Sequence, residues 1–420
     1  MGAPLGARST TIGLILFVII SIVFAAFALL PEIIGNGKTK DYPLWYWVGQ
    51  RVLNGGDLYN NDGVMFGFLY PPFAAILFAP LSYFGKVPLY LSLVAVSLAS
   101  WWASIQLSDR MAGTRTIPDF WIAALPSIIT LPFAFNVVDI GQPNLMLLAM
   151  VLGGFYLAAC GRAWSAGALF AAATAIKAFP FVVLAYLIVR RQFKVAASML
   201  VFLAVFLVLV PSPFRGFDRN IADLKTWFGG MVLSADEKGF GQRAEQNWSY
   251  KNQSLIAVTH RLVRPQNYES ENPNSPPKTV NIFNASYQQA NIVLVGFVLL
   301  LGFGYLWAMP RNDRRTPVTD AAELGVLISL MTIATPLARH YYFIALLFPF
   351  TVLVYRAAYD PRKSVRTATG IVVALAVLLM LLSFPFVSRA FQAIGNVFWA
   401  TMLLIGGLVW HMRNPAPESD

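Results

Sequence analysis

The chain has 420 residues, of which 57% are hydrophobic, 14% aromatic and only 12% charged, and its mean hydropathy is +0.61. A soluble domain carries roughly 25% charged residues, so this chain has too little polar surface for a water-soluble globule of its size. The net charge of +11 sits in basic runs at the ends of apolar blocks, as in Arg190-Arg191-Gln192-Phe193-Lys194, Arg311-Asn312-Asp313-Arg314-Arg315 and Arg362-Lys363-Ser364-Val365-Arg366, which reads as positive-inside anchoring against lipid headgroups and not as nucleic-acid binding.

Apolar blocks of about 17–23 residues, each long enough for a hydrocarbon core of about 30 Å, predict an all-α polytopic membrane protein with residues 1–420 in one integral membrane domain. The first block, from about Ile12 to Leu30, is too long for a signal-peptide core of about 7–15 residues and reads as a retained helix. About twelve spans follow from the pattern, at 11–31, 68–84, 88–107, 118–136, 143–160, 165–187, 195–211, 289–309, 322–339, 341–358, 367–388 and 391–411. With the N-terminus inside, the basic loops at 188–194, 310–321 and 359–366 are cytoplasmic, and the segments 32–67 and 212–288 are external. The loop 108–117, which holds Asp109, Arg110 and Arg115, is then external although it is basic. Making 68–84 re-entrant brings it inside but moves Arg190, Arg191 and Lys194 outside, so the first arrangement satisfies more Lys and Arg.

The external segment after the first span is acidic and aromatic. Asp41 opens it beside Trp45, Tyr46 and Trp47, and the run from Leu44 to Leu53 reads as a short amphipathic helix on the membrane, ended by Gly55-Gly56. Aromatic rings there anchor an interfacial helix and also suit stacking on a sugar. Tyr70-Pro71-Pro72 marks the start of the next helix, since proline is tolerated in a first turn. Gly141-Gln142-Pro143-Asn144 forms a helix junction next to Asp139. Lys177 lies inside an apolar span, where a charge costs about 2.5–3.5 kcal/mol on insertion scales, so a cavity, an anion or a buried acid such as Asp139 is its expected partner. In the preferred topology Gln142 faces the cytoplasm, opposite to Asp41, and joins an external site only if a span is broken or re-entrant. The long segment 212–288 carries Asn252-Gln253-Ser254, suited to a hydroxyl-rich ligand, and Arg339-His340 turns between two spans on the side of Asp41.

The chain has one cysteine, Cys160, so no internal disulfide or multi-thiolate metal site is available. It also lacks the phosphate loop of nucleotide enzymes, HExxH and GxSxG. Any transferred group must come from a donor reachable from the membrane.

Together, Asp41 with its aromatic helix, Gly56-Asp57-Leu58-Tyr59, Phe68-Leu69-Tyr70-Pro71-Pro72, Gly141-Gln142-Pro143-Asn144-Leu145, Ala175-Ile176-Lys177-Ala178-Phe179-Pro180, Asn252-Gln253-Ser254-Leu255 and Thr335-Pro336-Leu337-Ala338-Arg339-His340-Tyr341 resemble glycosyltransferase family 87 of the GT-C superfamily. The resemblance implies a GT-C fold of about a dozen helices. It also implies a polyprenyl-phosphate sugar donor, with mannose the expected sugar, used on the external face of the plasma membrane, and Asp41 as catalytic base. The acceptor is then a lipid or glycan.

The residues fit that chemistry. Phosphate is a good leaving group, so one base and positive charge for the departing phosphate suffice. Asp41 supplies the base, and Lys177, Arg339 and His340 supply the charge. Trp45, Tyr46, Tyr70, Gln142, Asn252 and Gln253 are candidates for the sugar or the acceptor. The sequence singles out no certain cofactor. A divalent metal is compatible, with Asp57 and Asp62 as the acids beside Asp41, although their spacing is no recognised ligand pattern. The rival reading is a transporter or flippase in which Lys177 and Asp139 are pathway charges.

Overall fold

The computed structural model describes residues 7–34, 40–60, 67–113, 118–233, 235–236, 239–240, 247–272, 274, 276–383 and 387–414. Among them, eight helices are long and apolar enough to cross a membrane: Thr11–Ile33, Lys86–Met111, Phe120–Ile140, Phe193–Arg215, Tyr287–Ala308, Pro317–Ala334, His340–Tyr359 and Lys363–Leu381. Shorter apolar helices run over Pro72–Tyr83, Asn144–Ala159, Ala163–Ile176 and Phe179–Val189, and Asn396–Arg413 closes the chain. The all-α polytopic architecture is therefore as read from the sequence. The helix His340–Tyr359 is the most enclosed of the eight, 89% buried, whereas Tyr287–Ala308 is only 6% buried.

The bundle has two chemically distinct ends. At one, Tyr359 accepts from the Asp119 backbone, Arg356 reaches the Gly113 carbonyl, Arg190 meets Glu323 and the Pro310 carbonyl, and Arg362 meets the Asn414 carbonyl. The loops carrying Arg110, Arg190, Arg311 and Arg362 thus share one end. At the other end, the Asp41 backbone meets Ile140, Gln142 meets Lys177, and Gln253 meets Ala338.

Both arrangements considered from the sequence are corrected by this geometry, and for two reasons. First, 68–84 does not cross. Its helix, Pro72–Tyr83, has 12 residues, about 18 Å long, and packs on Tyr42–Leu53 at the Asp41 end, with Trp45 against Phe78 and Gly49 against Ser82. Second, 165–187 is not one span. Phe155 packs on Phe170 at 4.8 Å and on Tyr186 at 5.6 Å. Sixteen residues of continuous helix would set those two rings about 24 Å apart, so the chain folds back between them. Lys177 is at the turn, with extended backbone (φ −152°, ψ 119°), between Ala163–Ile176 and the 3-10 turn Phe179–Phe181. With both segments re-entrant, the loops at Arg110 and at Arg190 fall on the same side, and the conflict over basic residues disappears.

The packing of Tyr42–Leu53 on Pro72–Tyr83 depends on a missing side chain. A Cβ at Gly49 would lie 2.0 Å from Ser82 Oγ and 3.2 Å from the Phe78 carbonyl. Gly49→Ala is expected to wedge the two helices apart and cost about 1–3 kcal/mol, the usual range for overpacking. Thermal unfolding in detergent checks this, and an unchanged midpoint would contradict the close packing. The start of the long segment 212–288 clamps the same region. Arg215 pairs with Asp223 at 2.8 Å and donates to the Gly56 carbonyl at 2.7 Å, and Trp227 donates to Leu69.

Candidate active site

The last four carbonyls of a helix have no partner within it. At the end of Phe120–Ile140 the opening residues of the acidic segment supply donors. The Asp41 backbone N–H donates to Ile140 at 2.7 Å, the Tyr42 hydroxyl to Val138 at 2.5 Å, and the Trp45 indole to Gly141 at 2.8 Å. Gly141 ends that helix in the left-handed region (φ +83°), with the Tyr42 ring 2.9 Å from where a Cβ would stand. Lys40 secures the other flank. Pro31 lacks an N–H and so leaves the Phe27 carbonyl free. Lys40 donates to that carbonyl at 3.2 Å, to Ala28 at 3.1 Å, and to Asp139 at 2.8 Å. Asp139 is therefore the partner of Lys40, and not of Lys177 as the sequence suggested.

This frame leaves the Asp41 carboxylate, 7% exposed, unused as a helix cap and directed at Gln142. The Gln142 amide nitrogen donates to Asp41 Oδ2, while its carbonyl oxygen accepts from Lys177 Nζ at 3.0 Å. Lys177 also donates to Asn144 Oδ1 at 3.1 Å, and its ammonium lies 4.1 Å from the centre of the Tyr342 ring and 5.3 Å from that of Tyr341. The Tyr70 hydroxyl stands 3.1–3.2 Å from both polar atoms of Gln142. Burial, and next the charge of Asp41, push the Tyr70 phenol well above its ordinary range, so it stays neutral. Acid, amide, cation and aromatic rings from five separate elements thus form one buried network. Asn144, Tyr341 and Tyr342 belong to it, though no role was read for them in the sequence. The available signal was their place inside the same short motifs as Gln142 and His340.

The remaining candidates are distributed differently. Arg339 pairs with Glu271, and the Tyr342 backbone donates to the Arg339 carbonyl, so Arg339 flanks the tyrosines over Lys177. His340 packs against Phe133, and its Nε2 has no partner among the described residues. Trp45 is fully buried between Tyr70 and Phe78, so it braces Gly141 and has no face left for a sugar. The Tyr46 ring meets Lys86, 5.6 Å away, outside the network. Asn252 and Gln253 are engaged within the fold. Asn252 spends its amide on the carbonyls of Asn247 and Pro336 and on the N–H groups of Ser254 and Ala338. Gln253 spends its own on Tyr250, Gln392 and Val397. Both build the turn that carries Arg339 and are saturated by it. Asp57 holds its own turn through the Tyr59 N–H, and Asp62 lies outside the described residues. Among those residues no three of His, Cys, Asp or Glu gather as metal ligands.

The model of glycosyltransferase family 87 matches residues 68–336. The chain belongs to that family. The match spans Tyr70, Gln142 and Lys177 and leaves Asp41 and Arg339 outside its bounds, so the geometry is what ties those two to the site here. Over 145 residues, 33% of the chain, it is 35% identical to a polyprenol-phosphate-mannose-dependent alpha-(1-2)-phosphatidylinositol pentamannoside mannosyltransferase of Mycobacterium tuberculosis, covering 32% of that protein. It is 31% identical over 196 residues to the enzyme of the same description from Mycolicibacterium smegmatis, covering 41% of the chain and 46% of that protein. The chain thus aligns with less than half the length of these relatives.

Proposed function

We propose that the protein is a mannosyltransferase of the plasma membrane. It would take mannose from a polyprenyl-phosphate donor and pass it to a lipid or glycan acceptor on the external face. One arrangement carries the reading: a carboxylate, Asp41, and an ammonium, Lys177, held at opposite ends of a single amide, Gln142. Asp41 takes the proton of the acceptor hydroxyl as that oxygen bonds to the anomeric carbon. The bond from that carbon to phosphate oxygen breaks, and the charge moving onto phosphate is met by Lys177, with Arg339 beyond the tyrosines and His340 beside it as a ring N–H donor. One displacement inverts the anomeric centre. The names of the mycobacterial relatives support donor and sugar. The basic loops at the opposite end of the bundle support an external site.

Purified protein in proteoliposomes, given polyprenyl-phosphate-mannose and a phosphatidylinositol mannoside, is expected to yield a mannosylated lipid of inverted anomeric configuration. Movement of labelled lipid with no covalent product would instead establish the flippase reading. The displacement as described draws its positive charge from side chains, so EDTA is expected to leave turnover in place. Loss of turnover that Mg²⁺ or Mn²⁺ restores would assign part of that charge to a cation.

A further inference from the structure

Arg339 is already paired with a carboxylate of the chain itself. Glu271 bridges two cations, with Oε1 on Arg339 and Oε2 on Lys251 at 2.9 Å. The cluster is open to water, with side-chain exposures of 21% for Glu271 and 42% for Lys251. Burial pushes the Glu271 carboxyl up, but Arg339, Lys251 and a hydrogen bond from Ser249 outweigh it and bring it below the usual carboxylate range, so it is ionised near neutral pH. Its hold on Arg339 is incomplete. Arg339 Nε is buried without a partner among the described residues, as is the neighbouring His340 Nε2. A guanidinium presents a fork that suits two oxygens at once. A tetrahedral phosphate can use both donors of that edge, where Glu271 uses one.

We infer that Glu271 is an internal stand-in for the lipid phosphate, displaced from Arg339 when the donor binds and returned when the product leaves. The inference rests on the phosphate role proposed for Arg339 above. It has a chemical rationale in turnover. The donor is a phosphodiester with one negative charge. The departing polyprenyl phosphate is a monoester, with a charge of about −1.5 to −2 at pH 7, so the cations that assist departure also retain the product. A tethered carboxylate competing for Arg339 and Lys251 weakens that retention. The rest of its loop is fastened without it, through Glu269 on Arg389 and backbone bonds of Tyr268 with Tyr250 and Lys278. Glu271 can therefore leave its partners while the loop stays in place.

The test is binding of farnesyl phosphate to the detergent-solubilised protein, with inorganic phosphate as the headgroup alone. Glu271→Gln is expected to bind farnesyl phosphate about five-fold more tightly, the worth of one partly exposed ion pair. In the transfer assay it should lower KM for the donor and sharpen inhibition by the lipid-phosphate product. Unchanged or weaker binding by Glu271→Gln overturns the inference. Arg339→Gln separates the two layers. If it leaves farnesyl phosphate binding intact, the phosphate role of Arg339 fails and takes the inference with it. If it weakens binding while Glu271→Gln changes nothing, only the stand-in role fails. Should Glu271→Gln not fold, hydrogen exchange in the wild-type protein decides. Amides of 268–272 are expected to exchange faster with farnesyl phosphate bound, and unchanged or slower exchange counts against displacement.

Discussion

Asp41→Asn is expected to lower the turnover number for sugar transfer by about 10²–10⁴-fold, the usual worth of a positioned general base. The substitution is nearly isosteric, and the frame around it does not use the carboxylate. The backbone N–H that meets Ile140 is retained, as are the Tyr42 and Trp45 bonds to Val138 and Gly141. An Asn side-chain oxygen still accepts from the Gln142 amide. The variant should therefore fold, insert and bind donor with nearly unchanged KM while failing to take the acceptor proton. Initial rates with radiolabelled donor, normalised to purified protein, measure this. Turnover within a few-fold of wild type would remove Asp41 from the role of base and leave it as a structural acid at a helix junction.

The acid was legible from sequence because its setting is unusual: a carboxylate just past an apolar helix and among aromatics. The cost of Lys177 in an apolar block was legible for the same reason. Their meeting was not legible, because it depends on turns that hydropathy does not register. A window average over 165–187 sees one apolar block, although the chain reverses at Lys177 and Phe155 touches both arms. Pro72–Tyr83 likewise reads as a span because it is apolar throughout, although it is about 18 Å long and buries its apolar surface against Tyr42–Leu53. Treating both as crossings put Gln142 at the opposite end from Asp41, whereas the two meet at one end of the bundle. Asn252 and Gln253 show a structural use that the sequence does not announce. Polar residues in a loop suggest a ligand, but a buried turn needs its backbone groups satisfied, and these two amides do that for the 336–338 turn and for Gln392 and Val397.

Lys177→Met tests the other half of the network, and its effect should be nearly as large. Methionine keeps much of the unbranched stem and loses the ammonium. The charge developing on the leaving phosphate then lacks its nearest partner, and the expected fall in turnover is about 10²–10³-fold, as for loss of one preorganised donor. Unlike Asp41→Asn, this change also loosens the ground state. Asn144 Oδ1 loses its Lys177 donor and Gln142 Oε1 keeps only the Tyr70 hydroxyl, at a cost of about 1–3 kcal/mol for a buried acceptor left unsatisfied. The Gln142 amide is then freer to turn away from Asp41, so KM for the donor should rise together with the loss in turnover. Lys177→Arg discriminates between charge and shape. A guanidinium carries the charge, but its planar fork does not fit where a compact ammonium sits over Tyr342 while donating to two amides. If charge alone mattered, Arg would restore most of the rate. Restoration of only a small fraction is expected, because the amide that Lys177 holds is the one that aims the base.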